Sequence, residues 1–316
     1  MHPSVRTVAW LTAYVGACLL GRVTVIQPDN IGLVWPAAGV ALVWLASSTR
    51  RTWMLDIVLL SVSTVVVLLL TEGGVTRSFL SLLTPFQAVI TILALRRWVP
   101  GIWGTGGRVP FKRLRDFGVL LLMVVATALL TAVIRTLLGF ALIPGEGWDL
   151  LLGRWGRNAA AMATIGTFGL LLGGWIAEHR DNGTPVLGRP TRTDVAHGAG
   201  IVAAVLAVGV FGFWKDPIVP TTFVLTLTSV WAGIRFNALV ASAQSLLTGA
   251  LVVWLTILGY GPIASVDDPE TRALTAQVFV IVLMVTSLTI ALTRRQIVET
   301  IGRLERSEAT LAVHAD

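Results

Sequence analysis

Charge is scarce in this chain, and the scarcities exclude more than the abundances do. Only 13% of the 316 residues are Asp, Glu, Lys or Arg, about half the share that a soluble domain carries. Cys18 is the single cysteine, so no intrachain disulfide can form and no cysteine cluster can hold a metal. The four histidines, His2, His179, His197 and His314, lie outside the apolar runs, which removes the paired mid-membrane ligands that a haem needs. His179 and His197 have no companions at metal-ligand spacing. No phosphate-cradling glycine loop ends in lysine, and no serine elbow is present. The stretch Gly101-Ile102-Trp103-Gly104-Thr105-Gly106-Gly107 is glycine-rich, but it runs into Arg108-Val109-Pro110 and reads as a flexible loop. With no catalytic constellation, cofactor site or metal site identified, a non-enzymatic protein is expected.

What is abundant is apolar sequence. Hydrophobic residues make up 55% of the chain, in runs near the length of about 20 residues that a helix needs to cross roughly 30 Å of hydrocarbon. The runs fall at about 5–26, 33–49, 53–71, 78–95, 117–143, 158–178, 199–214, 218–235, 237–259 and 273–293. The expected fold is an all-α polytopic transmembrane bundle of about eight to ten spans, with ten preferred. The second run is near the lower limit, and a re-entrant hairpin there would change the count. The first ends at Arg22-Val23-Thr24 without a small-residue cleavage site and reads as an uncleaved span.

The net charge of +7 belongs to topology and implies no nucleic-acid partner. With both termini cytoplasmic, the inner loops collect most of the 24 Lys and Arg residues, including the dense group Arg96, Arg97, Arg108, Lys112, Arg113 and Arg115. The outer loops are acidic by comparison, with Asp29, Glu72, Glu146, Asp149, Asp216, Asp267, Asp268 and Glu270. Trp10, Trp53, Trp98, Trp103, Trp148 and Trp214 stand near span ends, as belt residues do.

Ionisable groups inside spans are costly, and each needs a reason. Asp56 is expected to pair near the interface with Arg50 or Arg51, and Arg22 to snorkel outward. Arg135 is harder to place. It lies about 12 Å inside the fifth span, too deep to snorkel easily. Arg154, Arg157 and Asn158 gather where the next span enters from the same side. Two readings stand: structural ties to Glu146, Asp149 or Asp29, or an outward-facing pocket of Trp35, Arg135, Arg157 and Asn158 for a small polar or anionic signal. Gln87, Gln244 and Gln277 are expected to hydrogen-bond between helices.

The last segment differs from all of this. In Arg294–Asp316, Ile297, Ile301, Leu304 and Leu311 follow steps of a short coiled-coil seam, interrupted by Glu308. Residues 1–293 thus form the membrane domain and 294–316 a cytoplasmic helix, either a solvated tail or a signal connector.

Several segments carry a family resemblance. Val34-Trp35-Pro36-Ala37-Ala38-Gly39-Val40-Ala41-Leu42 resembles the signature of the membrane-associated sensor family, type one. Ser229-Val230-Trp231-Ala232-Gly233-Ile234-Arg235-Phe236, then Gly259-Tyr260-Gly261-Pro262 and Gln277, are similar to that family's second half. Pro36 at a helix start and Gly39 on a small-residue face also suit close helix packing. The resemblance implies an integral input module of bacterial histidine kinases, diguanylate cyclases and related proteins, in the cell membrane. Its partners would be the lipid bilayer, a small-molecule signal, and a cytoplasmic kinase, cyclase or phosphatase output, joined or separate, with a homodimer as one option. The alternative is a secondary transporter for a small anionic solute, suggested by abundant glycine and the broken segment Trp214–Pro220.

Overall fold

The structure is a computed structural model that describes residues 3–26, 31–72, 74–183, 191–213 and 222–315. Apart from a two-residue antiparallel ribbon, β1 (Val25–Ile26) with β2 (Ile31–Gly32), the regular structure is helical. In chain order the α-helices are α1 (Pro3–Val23), α2 (Pro36–Ser47), α3 (Trp53–Glu72), α4 (Val75–Leu80), α5 (Leu83–Trp98) and α6 (Leu114–Leu142). They continue with α7 (Leu151–Ala161), α8 (Thr167–Asp181), α9 (Arg192–Ala207), α10 (Thr222–Arg235), α11 (Ala238–Ile257) and α12 (Pro269–Ala315). A π-helical turn, Met162–Gly166, joins α7 to α8, so that Trp148–Asp181 is one helical run.

Each of the ten apolar runs coincides with a helix. Among the described residues, seven runs are long and apolar enough to cross a membrane: α3, α4 with α5, α6, Trp148–Asp181, Arg192–Phe211, α11 and α12. The other three are α1, which carries Arg6 and Arg22, the 14-residue α10, and α2. At 12 residues, or about 18 Å, α2 is too short to span the hydrocarbon alone. It is apolar on nearly every face and largely enclosed, with Ala37, Ala38, Ala41, Leu42, Trp44 and Leu45 inaccessible to solvent. That is the pattern of a core helix. Around it, outward faces present bare hydrocarbon such as Leu70 and Phe211, both over 80% exposed, as lipid-facing surfaces do.

Close approach at the centre depends on Gly39. A Cβ placed there would lie 2.5 Å from the Ala161 carbonyl oxygen and 2.6 Å from Ile165 Cβ. The small-residue face of α2 therefore seats against the α7–π–α8 run, backbone against backbone. A second such contact joins α10 to α12, where a Cβ on Gly233 would stand 2.6 Å from the Ser287 carbonyl.

Three local expectations change. Asp56 does not pair with Arg50 or Arg51. Its carboxylate accepts from Arg6 of α1 at 2.5 Å and from the Ser48 hydroxyl at 2.6 Å. The neighbour in space wins over the neighbour in sequence, because α1 packs along α3 while Arg50 lies exposed on the turn between α2 and α3. The segment 101–107 is not a loose loop. Thr105 is buried and donates to the carbonyls of Val99 and Ile102, and Gly104, at φ 86°, packs on Ala46. The sixth run begins ten residues before its expected start, because polar Arg154, Arg157 and Asn158 lie within the helix. Trp214–Pro220 lies outside the described residues.

Candidate ligand-binding site

At the end of the bundle where α3 ends and α7 and α12 begin, a cavity of about 500 Å³ opens. Its walls include Trp35, Arg135, Arg157 and Asn158 together. Five arginines line it, Arg22, Arg77, Arg135, Arg154 and Arg157, against the carboxylates of Glu146, Asp149 and Glu270. The lining therefore carries an excess of positive charge. Such a volume suits a small ligand.

Glu146, on the turn between α6 and α7, organises one wall. Its Oε2 accepts from Arg154 at 2.6 Å and from Arg135 at 3.0 Å, while Oε1 accepts from Arg77 at 3.2 Å. The carboxylate is 7% exposed. Burial pushes the Glu146 carboxyl up, but the hydrogen bonds and charges of Arg135 and Arg154 outweigh it. The net position is below the usual carboxylate range. Gly139, one turn beyond Arg135 on the same face of α6, makes room for this pair. A Cβ there would meet Glu146 Oε2 at 2.5 Å and Arg135 Nη1 at 2.7 Å. Arg154 also donates to the Thr136 hydroxyl at 3.2 Å.

One carboxylate thus serves three guanidiniums. The structural tie expected for Arg135 and a cavity beside it are both present.

The opposite wall is aromatic and amide. Trp35 precedes the first turn of α2 and is 4% exposed. Gly21 of α1 lets the indole lie flat against the helix, since a Cβ there would reach Trp35 Cε3 at 2.6 Å. The Arg157 guanidinium stands 5.3 Å from the indole centroid, a cation–π arrangement. The Trp35 amide also donates to the Arg157 carbonyl at 3.4 Å, tying α2 to α7. Asn158 donates through Nδ2 to Gln87 Oε1 at 2.9 Å. Its Oδ1 is buried and accepts no hydrogen bond among the described residues. A buried acceptor of this kind is costly unless water or a ligand donor satisfies it.

The remaining motif residues serve the second half of the bundle. Trp231 donates from its indole to His197 Nδ1 at 3.3 Å, and Arg235 pairs with Asp194 at 3.0 Å. Gly261, at φ 87°, turns the chain beside Phe213, and Pro262 follows before α12. Gln277 is fully buried and donates to the carbonyls of Gly32 at 3.3 Å and Gly153 at 3.5 Å. It therefore ties α12 to the cavity's own elements. Gln244 donates to Thr228 and Thr248, both at 3.0 Å. Asn237 caps α11 by accepting from the Val240 amide.

Along the seam, Ile297, Ile301 and Leu304 are 50–59% exposed. The backbone of Leu311 is helical, and its side chain lies outside the described residues. Arg22 and Arg77 were missed as cavity residues by sequence reasoning. Arg77 sits in the six-residue α4, a polar interruption that merges with α5 into one apolar run.

Among the described residues, no three His, Cys, Asp or Glu side chains converge as metal ligands do. No family model, no curated protein and no solved structure matches the chain.

Proposed function

We propose that the chain is a non-enzymatic membrane sensor, of the type-one membrane-associated sensor kind, that binds a small anionic ligand and relays its presence through α12. The single observation behind this reading is the continuity of α12. Its first turn carries Glu270 into the cavity lining, its Gln277 is bonded to carbonyls beside Trp35 and Arg157, and the same unbroken helix runs to the exposed seam at Ile297, Ile301 and Leu304. Ligand contacts that differ between two positions of α12 would shift the equilibrium between them. In this reading the chain crosses the cell membrane ten times with both termini in the cytoplasm, which the distribution of Lys and Arg supports. The seam meets a second copy or a cytoplasmic kinase, cyclase or phosphatase.

The test is cysteine cross-linking at Ile301→Cys in membranes, with Cys18→Ala as background. Anions that raise the thermal stability of the protein are expected to change the cross-linking yield. Stabilising anions that leave the yield unchanged would remove the relay from the proposal.

One observation favours the transporter reading. The short α2 and the π turn, two interruptions of regular spanning helix, pack against each other at Gly39 and Ile165. Transporters bring broken helices together at their sites. Anion flux into proteoliposomes holding the purified chain decides between the two.

A further inference from the structure

The end of the bundle opposite Glu146 has a second concavity that neither reading uses. It measures about 1410 Å³, well above the size of an ordinary small-molecule pocket. The C-terminal end of α2, the packed 101–107 loop and α8 wall it. Its lining changes character along its length. At the end of the bundle stand Arg50, Arg96 and Arg180; towards the middle the wall is Val40, Ile165, Phe168 and Leu172. Trp10, Trp53 and Trp103 lie between. From Arg180 on α8 back to Ile165 in the π turn is about 22 Å, more than one leaflet of a hydrocarbon core about 30 Å thick.

The three cations are uncompensated. Among the described residues none of Arg50, Arg96 and Arg180 forms an ion pair; the one carboxylate in the lining, Asp181, pairs with Arg108, also in the lining, at 3.5 Å. Arg50 and Arg96 line the same groove, where their like charges repel. Arg96 stacks 4.2 Å from the Trp53 ring centroid, which fixes its plane and leaves its edge N–H groups directed away from the ring. A phosphate among them would relieve the repulsion and accept several charge-assisted hydrogen bonds. Phosphate alone would leave the apolar wall uncovered. A single ligand that satisfies both ends is an amphiphile with an anionic phosphate head and an acyl tail.

We infer that this groove is a specific site for an anionic phospholipid of the leaflet at that end. Its headgroup sits among Arg50, Arg96 and Arg180, and one acyl chain lies along Ile165, Phe168 and Leu172. Basic pockets between membrane helices bind lipid headgroups in this manner. The inference does not depend on the sensor reading.

The test is native mass spectrometry and thermal unfolding of the purified full chain in detergent, with phosphatidylglycerol, phosphatidylcholine or inorganic phosphate added. Phosphatidylglycerol is expected to remain bound and to raise the unfolding temperature, at least tenfold more effectively than phosphatidylcholine. Arg180→Glu changes an exposed, unpaired side chain and leaves folding intact; it is expected to remove most of that preference. Leu172→Trp, which fills the apolar wall, is expected to weaken both lipids. Equal binding of the two lipids by the unaltered chain would overturn the site. So would an undiminished preference in Arg180→Glu, or stabilisation by inorganic phosphate equal to that by the lipid.

Discussion

Arg294 of α12 donates to the main-chain carbonyl of Arg235, at 3.2 Å, where α10 ends. The same guanidinium bonds the carbonyls of Ile234 and Phe236, so one side chain caps the C-terminus of a neighbouring helix. Cations at that end also meet the negative pole of the helix dipole. Arg294→Ala is therefore expected to free the lower part of α12. Hydrogen exchange at residues 294–304 should rise several-fold while membrane insertion is unchanged. Unaltered exchange would show that packing alone holds α12 there.

Glu146→Ala leaves Arg77, Arg135 and Arg154 facing one another without their shared anion. A dry buried pair loses about 3–5 kcal/mol when one partner is removed. Here the cavity admits water, and a loss of about 2 kcal/mol is expected, read from denaturant or thermal unfolding in detergent. Glu146→Gln keeps the shape and raises the positive charge of the cavity, so anions that stabilise the protein should bind about tenfold more tightly. Weaker anion binding by Glu146→Gln would contradict the assignment of the arginines as the anion's partners.

The same carboxyl sets an acid limit. Its folded pKa lies below the ordinary value of about 4.3, so its contribution is complete above that value. The contribution is lost as the pH falls through the depressed folded value, where both folded and unfolded states bind the proton. Unfolding temperatures followed from pH 7 downward should show a steeper acid decline for the unaltered chain than for Glu146→Gln. Parallel curves would place the acid sensitivity elsewhere.

Two glycines in helices make a matched test of packing. Gly39→Ala puts a methyl 2.5 Å from the Ala161 carbonyl and should destabilise by about 1–3 kcal/mol. Gly16→Ala has nothing within 4 Å and should be neutral or slightly stabilising, as helix propensity alone dictates. Thermal unfolding of both variants gives the comparison directly.

Much of the helix plan was legible because hydrocarbon spans need long apolar runs, and every such run became a helix. The depth of Arg135 likewise drew attention to the end of the bundle where the cavity lies. What hydropathy could not convey was non-local. Asp56 is five residues from Arg51 but pairs with Arg6, since adjacency of α1 and α3 is invisible in a linear pattern. Arg154, Arg157 and Asn158 place the expected start of their helix too late, because a polar cluster mimics a span boundary. They are polar because they face a charged cavity from inside the helix. Arg77 was hidden for the converse reason, a single cation inside a short helix between apolar stretches.

The length of α12 gives a small tilt a large reach. Arg294 lies about 36 Å along the helix from Glu270 and about 15 Å before Leu304, at 1.5 Å per residue. If α12 relays ligand binding as proposed, it would act as a lever with its long arm at the cavity and its fulcrum at the end of α10. A displacement of about 2 Å at Glu270 would swing Leu304 by roughly 0.8 Å in the opposite sense, if the helix stays straight. Two such levers side by side would separate or close their seams by twice that amount. That is comparable to the 1–2 Å helix shifts by which interfaces switch between discrete packings.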